Sequence, residues 1–256
     1  MHHIAIILAG GTGSRVGGET PKQFLPLKDG HSILEHSVEA FERAEFIEEI
    51  CIVMHPDFIT ETQALVTKNN WPKVKAVIPG GKTRWESSYC AIQYYMKRMV
   101  FTLNNQLNEE NPYPELPRFY DDNYVYLWFH DAARPFVSQR ILSDINETIS
   151  HGAMAVTVAV PTTDTMYFTH DENDGRNPYV LHVLDRSYVM QAQTPQVFRF
   201  DEIARAYVSY ATNQYPQFVP TDDVNLYINS HGCSRIRIVE GEEANRKITY
   251  KADLDD

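Results

Sequence analysis

Ile4-Ala5-Ile6-Ile7-Leu8-Ala9-Gly10-Gly11-Thr12-Gly13-Ser14-Arg15, closed shortly afterwards by Pro21-Lys22-Gln23, is the stretch around which the chain is organised. Its apolar run is rich in β-branched residues and ends at glycines, the pattern of a central parallel strand covered on both faces. Gly10, Gly11 and Gly13 let the backbone approach a ligand with no Cβ in the way. N–H groups exposed in such a turn form a concavity for anions, and Arg15 and Lys22 bring full positive charge to the same place. Taken alone, the stretch also reads as a tight strand-to-helix turn with two solvated cations. Two other phosphate loops are excluded by spacing. A dinucleotide fingerprint needs a glycine where Val16 stands, and a P-loop needs Gly-Lys-Ser/Thr where Gly13 is followed by Ser14-Arg15.

Working outward, residues 31–44 carry a helical stripe of Ile33, Leu34, Val38 and Phe41, with Ser32 and Glu35 spaced as a capping box. A buried strand at 47–54, a helix at 58–69, a strand at 73–79 running into Gly80-Gly81-Lys82-Thr83-Arg84, and a helix at 86–99 follow. That alternation implies βαβ units and a largely parallel sheet. Residues 102–123, rich in Asn, Pro and Glu, break the rhythm and read as a surface insert. A strand at 124–130 leads into Asp131-Ala132-Ala133-Arg134-Pro135-Phe136, then a helix capped by Ser138 to 151 and a fifth strand at 153–160. Between 161 and 197 the next helix does not come. Two strand-like runs, 164–169 and 179–184, are joined by polar 170–177, which predicts a protruding β-arm. An arm exposing apolar residues usually finds a partner. Helices at 201–212 and 221–231, a strand at 234–240 and a solvated tail at 253–256 complete the chain. The prediction is one domain over 1–256, α/β and Rossmann-like, with a largely parallel sheet flanked by helices, an insert at 102–123 and a β-arm excursion at 161–197.

Composition limits what such a domain does. At 256 residues and 43% hydrophobic, the chain can bury a full core. Its net charge of −11 argues against nucleic acid, whose binding runs on clustered Lys and Arg. No apolar run reaches the roughly 18 residues of a membrane span, and no charged-then-apolar signal segment opens the chain. With the first strand so close to Met1, a cytoplasmic protein is expected. Cys51, Cys90 and Cys233 lack metal-type spacing and read as reduced, mostly buried thiols.

In an open parallel sheet the ligand lies beyond the C-terminal strand ends. Every unusual cluster here follows a strand at that edge: 9–22, 80–87 and 131–134. Gly80-Gly81 permits close backbone approach, and Ser87 or Ser88 supplies a hydroxyl suited to a base edge; an ordinary turn with an N-cap is the alternative. Asp131 follows an apolar strand, where a carboxylate is costly unless paired or metal-bound. It reads either as a Mg²⁺ ligand beside phosphates or as a structural ion pair with Arg134.

The Leu-Ala-Gly-Gly-x-Gly-x-Arg opening resembles that of nucleotidyltransferases, and Arg15 with Pro21-Lys22-Gln23 resembles the cytidylyltransferases acting on 2-C-methyl-D-erythritol 4-phosphate or, in close relatives, ribitol 5-phosphate. His130-Asp131-Ala132-Ala133-Arg134-Pro135 matches a signature of the methylerythritol phosphate family residue for residue, and the likeness extends over most of the chain. It implies that Arg15, Lys22 and Lys247 act on the triphosphate and transition-state charge, with Arg186 as a further catalytic cation. It implies nucleotide binding by Leu8, Ala9, Gly10, Gly11, Gly81, Lys82, Ser87 and Ala132. Acceptor binding falls to Thr165, Arg134, Arg186, Thr194, Thr221 and Lys247, and a Mg²⁺ ion to Asp131. It also implies a homodimer in which the arm is swapped, so that Arg186 serves the partner's site. The chain departs from the family pattern at Ala244, where Asp is usual and Glu243 stands one residue away, and at Lys82, where Asp is common.

The implied reaction transfers CMP from CTP to 2-C-methyl-D-erythritol 4-phosphate with release of pyrophosphate. The chain contains no convincing nucleophile–base pair, and this chemistry needs none. Two other functions compete: the same transfer to ribitol 5-phosphate, and a catalytically silent nucleotide-binding homologue, for which only Ala244 speaks.

Overall fold

The computed structural model describes residues 1–11, 21–106, 124–170, 179–212, 218–231 and 235–254. Arg15, Cys233 and the polar link predicted at 170–177, apart from His170, lie outside the described residues, as do 107–123 of the expected insert.

A seven-stranded sheet has the order β3-β2-β1-β4-β8-β5-β9. Its strands are β1 (His2–Ala9), β2 (Glu49–Met54), β3 (Val74–Pro79), β4 (Val125–Asp131), β5 (Ala155–Pro161), β8 (Met190–Arg199) and β9 (Arg237–Glu240). All pair in parallel except β8, which runs against both β4 and β5. Side chains of a strand alternate between faces, and β1 uses both. Ala5, Ile7 and Ala9 pack in one core with Leu34, Val38 and Phe41 of α1 (Ile33–Glu42) and Ile141, Leu142 and Ile145 of α4 (Gln139–Ser150). Ile4, Ile6 and Leu8 pack in the other with Ala91, Ile92 and Tyr95 of α3 (Arg84–Gln106), Ile203 and Tyr207 of α5 (Phe200–Ala211), and Leu226 of α6 (Asp223–His231). Helix α2 (Ile59–Asn69) adds Leu65 and Val66 to the first core. Burial on both faces explains why β1 reads as a continuous apolar run rather than an alternating one.

The capping box at α1 is present: Ser32 N–H donates to Glu35 Oε2 (2.7 Å) and Glu35 N–H to Ser32 Oγ (3.2 Å). Ser138 caps α4 through Ile141 N–H. Three sequence boundaries are corrected. Helix α3 continues to Gln106, because nothing from Arg84 to Gln106 is Gly or Pro, so the insert begins inside it. The excursion ends at 189 rather than 197, since β8 is a strand of the main sheet. Its Gln193, Thr194 and Gln196 disguise it, being polar yet buried. The pairing of β5 with β8 shifts register between Thr157 and Val158, opposite Thr194-Pro195, and an irregularity of that kind is where a central strand accommodates proline. The tail, too, is partly structured, for Asp253 Oδ2 accepts the N–H groups of Thr249 and Tyr250.

The arm is a separate two-stranded ribbon, β6 (Tyr167–His170) with β7 (Tyr179–Val183). Every residue of both strands is exposed. Among the described residues no helix is long and apolar enough to cross a membrane, and Cys51 and Cys90 are free thiols.

Candidate active site

The C-terminal ends of β1, β2, β3 and β4 open on one cavity of about 710 Å³. Leu8, Ala9, Gly10 and Gly11 form one wall, Gly80 to Arg84 with Ser87 another, and Asp131, Ala132 and Ala133 a third, while Lys22, Lys247 and Thr249 close it. Gln23, nearly buried, anchors the Lys22 segment by donating from Nε2 to Ala9 O at 2.8 Å. Lys22 Nζ donates to Ile248 O at 3.0 Å, and Ile248 N–H to Ala133 O at 2.8 Å. These bonds draw the C-terminal segment to the ends of β1 and β4.

After β3 the backbone folds beneath the start of α3. Thr83 and Glu86 cap that helix reciprocally, Thr83 N–H to Glu86 Oε2 at 2.8 Å and Glu86 N–H to Thr83 Oγ1 at 3.3 Å. Ser87 Oγ accepts Gly81 N–H at 3.2 Å and donates to Thr83 O at 3.0 Å. A Cβ on Gly81 would stand 2.3 Å from Glu86 Cβ. The glycine therefore serves the close approach of its own helix, and the Ser87 hydroxyl is bonded within the loop while still lining the cavity. Ser88 is fully buried. Lys82 projects from the exposed side of the cavity wall.

Asp131 is the electrostatic centre. Arg84 Nε donates to its Oδ1 at 3.0 Å and Lys247 Nζ to its Oδ2 at 2.7 Å. Burial alone would raise this carboxyl, but Arg84 and Lys247, with Arg134 further off, hold it well below the usual carboxylate range. The structural ion pair with Arg134 weighed from sequence is replaced by these two partners. Arg134 donates instead to Asn245 O (2.8 Å) and Ala192 O (3.2 Å), tying the C-terminal segment to β8. Behind Asp131 lies a directed chain of hydrogen bonds. Asp131 N–H donates to Thr194 Oγ1 (3.1 Å), Thr194 O–H to His130 Nδ1 (3.1 Å), and His130 Nε2–H to Arg134 O (3.0 Å). That direction requires a neutral imidazole, in keeping with burial lowering His130 to about 4.

The structure thus gathers Lys22, Lys247, Asp131, Ala132, Leu8, Ala9, Gly10, Gly11, Gly81, Lys82 and Ser87 around one space. It does not bring Thr165, Arg186 or Thr221 there: all three are exposed, and none lines the cavity. Arg186 Nη1 donates to Thr163 O at 3.1 Å within the arm, and Thr221 precedes α6. Thr194 is buried, its hydroxyl spent on the chain behind Asp131. Arg84 carries no role in the sequence reading. Its charge partners are remote along the chain, and no local spacing announces them. Glu243 and Ala244 are exposed away from the cavity wall. Among the described residues the group with metal-ligand geometry is Asp29, His31 and His36, outside the cavity, and there Asp29 Oδ1 already accepts His31 N–H and pairs with His36 Nε2.

The sequence matches the 2-C-methyl-D-erythritol 4-phosphate cytidylyltransferase family over residues 3–103 and 119–256, and the gap between them falls inside 102–123. A Thermobifida fusca protein named 2-C-methyl-D-erythritol 4-phosphate cytidylyltransferase is 37% identical over 251 residues, covering 98% of this chain and 89% of that one. A Haemophilus influenzae protein named bifunctional ribulose 5-phosphate reductase/CDP-ribitol pyrophosphorylase is 32% identical over 252 residues, covering 98% of this chain and 46% of that one. The solved structure of the Francisella tularensis 2-C-methyl-D-erythritol 4-phosphate cytidylyltransferase superposes with a TM-score of 0.70 at 26% identity, covering 100% of this chain and 97% of that one. The fold is also that of the 4-diphosphocytidyl-2C-methyl-D-erythritol synthase of Anaerococcus prevotii, with a TM-score of 0.74 at 24% identity, covering 99% of this chain and 92% of that one. With the match spanning both halves of the sheet and every wall of the cavity, the chain belongs to the 2-C-methyl-D-erythritol 4-phosphate cytidylyltransferase family.

Proposed function

We propose that this chain transfers the cytidylyl group of CTP to 2-C-methyl-D-erythritol 4-phosphate and releases pyrophosphate. One observation carries the reading: a family match over nearly the whole chain coincides with a cavity in which Lys22, Lys247 and Asp131 converge at the C-terminal sheet edge. The acceptor is a phosphate monoester with a second pKa of about 6, so it is nucleophilic near neutral pH without a general base. Its oxygen forms a bond to the α-phosphorus of CTP while the bond from that phosphorus to the β-phosphate bridging oxygen breaks. Catalysis then consists of positioning two polyanions and stabilising charge on the phosphoryl oxygens. Lys22 and Lys247, with Arg15, supply that charge. Leu8 to Gly11 and the Gly81–Ser87 loop, with Ala132, enclose the nucleotide.

Asp131 suits a divalent cation. It is a single carboxylate on the cavity wall, and Arg84 and Lys247 use two of its roughly four acceptor directions. Asp131 would hold a Mg²⁺ ion, which would supply charge neutralisation to the phosphates beside it. The exposed arm carries Thr165 and Arg186 outside their own cavity, which supports a homodimer in which each arm completes the partner's acceptor site. Soluble phosphate substrates suit a cytoplasmic location.

The likeness to the Haemophilus protein favours a second acceptor, ribitol 5-phosphate. Pyrophosphate release with CTP and Mg²⁺, measured with each acceptor in parallel, decides between them. Turnover with methylerythritol 4-phosphate is expected, and preference for ribitol 5-phosphate would replace the acceptor while keeping the mechanism. Release with neither would overturn the reaction.

A further inference from the structure

Arg84 has no part in the chemistry above, yet it stands between two carboxylates. Nε holds Asp131 Oδ1 at 3.0 Å, and Nη1 lies 2.7 Å from Asp223 Oδ2 without the alignment of a hydrogen bond. Asp223 is fully buried at the start of α6. Its Oδ1 accepts the Tyr207 hydroxyl at 2.5 Å, and its N–H donates to Gln196 Oε1 at 3.1 Å. Gln196 Nε2 in turn donates to Asp222 Oδ2 at 2.7 Å. One guanidinium therefore joins the wall of the nucleotide cavity to the segment containing Thr221.

Arg84 and Lys247 carry two positive charges, and Asp131 and Asp223 two negative ones, so the cluster is balanced before any substrate enters. A triphosphate that takes a cation from this cluster must draw it out of that balance. Lys247, with its side chain 37% exposed, can turn from Asp131 towards a phosphate. Arg84, 23% exposed and gripped by Asp223, is held where it is. Its planar fork spans two carboxylates in a way a lysine point charge cannot.

We propose that Arg84 is a positioning residue that fixes Asp131 and links it to the acceptor segment at 221–223, while Asp223 keeps the Arg84 charge away from the phosphates. The proposal rests on the cytidylyl-transfer reading. It makes two variants of the full chain behave differently, and a role in packing alone would not separate them. Asp223→Asn releases one positive charge into the wall, so calorimetric titration with CTP in the absence of divalent cations should give about fivefold tighter binding. Its kcat should still fall, about tenfold, because Asp131 loses its fixed support. Arg84→Lys keeps the charge but loses the fork. It should lower kcat about a hundredfold with CTP affinity within about threefold of wild type. Parallel loss of CTP binding and turnover in both variants, or no change in either, would overturn the proposal. If Asp223→Asn does not fold by circular dichroism, the kcat-against-affinity split of Arg84→Lys decides alone. An inactive wild-type protein would overturn the reaction, whereas an active one with unaffected variants would overturn only the role of Arg84.

Discussion

The cavity and the arm treat their side chains in opposite ways. Around the cavity nearly every polar group has a partner within the same chain: Lys22 on Ile248 O, Gln23 on Ala9 O, Lys247 and Arg84 on Asp131, Thr194 on His130. In the arm, Tyr167, Phe168, Tyr179, Val180, Leu181 and Val183 are about half exposed, and Tyr188 beyond them is 87% exposed. A surface of that kind is incomplete as a folded surface. The first region is preorganised by its own chain, while the second leaves its apolar side chains uncovered. If the homodimer proposal holds, the two are halves of one site contributed by different subunits.

The largest effect expected from breaking the cavity side is that of Lys22→Ala. Removing one preorganised cation should reduce kcat about a hundredfold to a thousandfold, measured by pyrophosphate release, with the melting curve unchanged. Near-normal turnover would remove Lys22 from its role. The comparison sharpens when Lys22→Ala and Arg186→Ala subunits, each inactive alone, are mixed and allowed to exchange. Half of the dimers then carry one site in two with both residues intact, so about a quarter of wild-type activity should return. Demonstrated subunit exchange without recovery would count against a shared arm.

The smallest effect concerns stability, and it again separates the packed body from the arm. Burial lowers both His3 and His130 to about 4, against 6.5 in the unfolded chain. The unfolded state therefore binds more protons between those values, and stability present above pH 6.5 is lost as pH falls toward 4. Each histidine contributes up to about 3 kcal/mol to that loss. Urea midpoints should fall steadily from pH 6.5 to 4.5, and a flat profile would show that these imidazoles are not buried neutral.

How much was legible in advance follows from the same contrast. Local signals are legible in the sequence: the apolar β1 run, the Ser32–Glu35 box, the Ser138 cap, and the placement of glycine clusters at strand ends. Each depends on residues a few positions apart. Strand β8 was hidden because Gln193, Thr194 and Gln196 look solvent-facing. They are buried because they hydrogen-bond to Glu242, His130 and Asp222, residues far along the chain. Arg84 is illegible for the same reason, since nothing near it in the chain marks Asp131 or Asp223 as its partners. The roles expected of Arg186 and Thr221 rest on the family resemblance, and no contact within a single chain bears on them.

Helix α3 carries one more consequence. It begins at Arg84 on the cavity wall and runs 23 residues, which at 1.5 Å per residue carries its far end about 35 Å from the chemistry. The chain re-enters the sheet at Val125, the end of β4 opposite Asp131. Both of those points, the end of α3 and the start of β4, lie away from the cavity. An engineer could use the same place to graft a tag, a fluorophore or a second domain, with the helix acting as a built-in spacer.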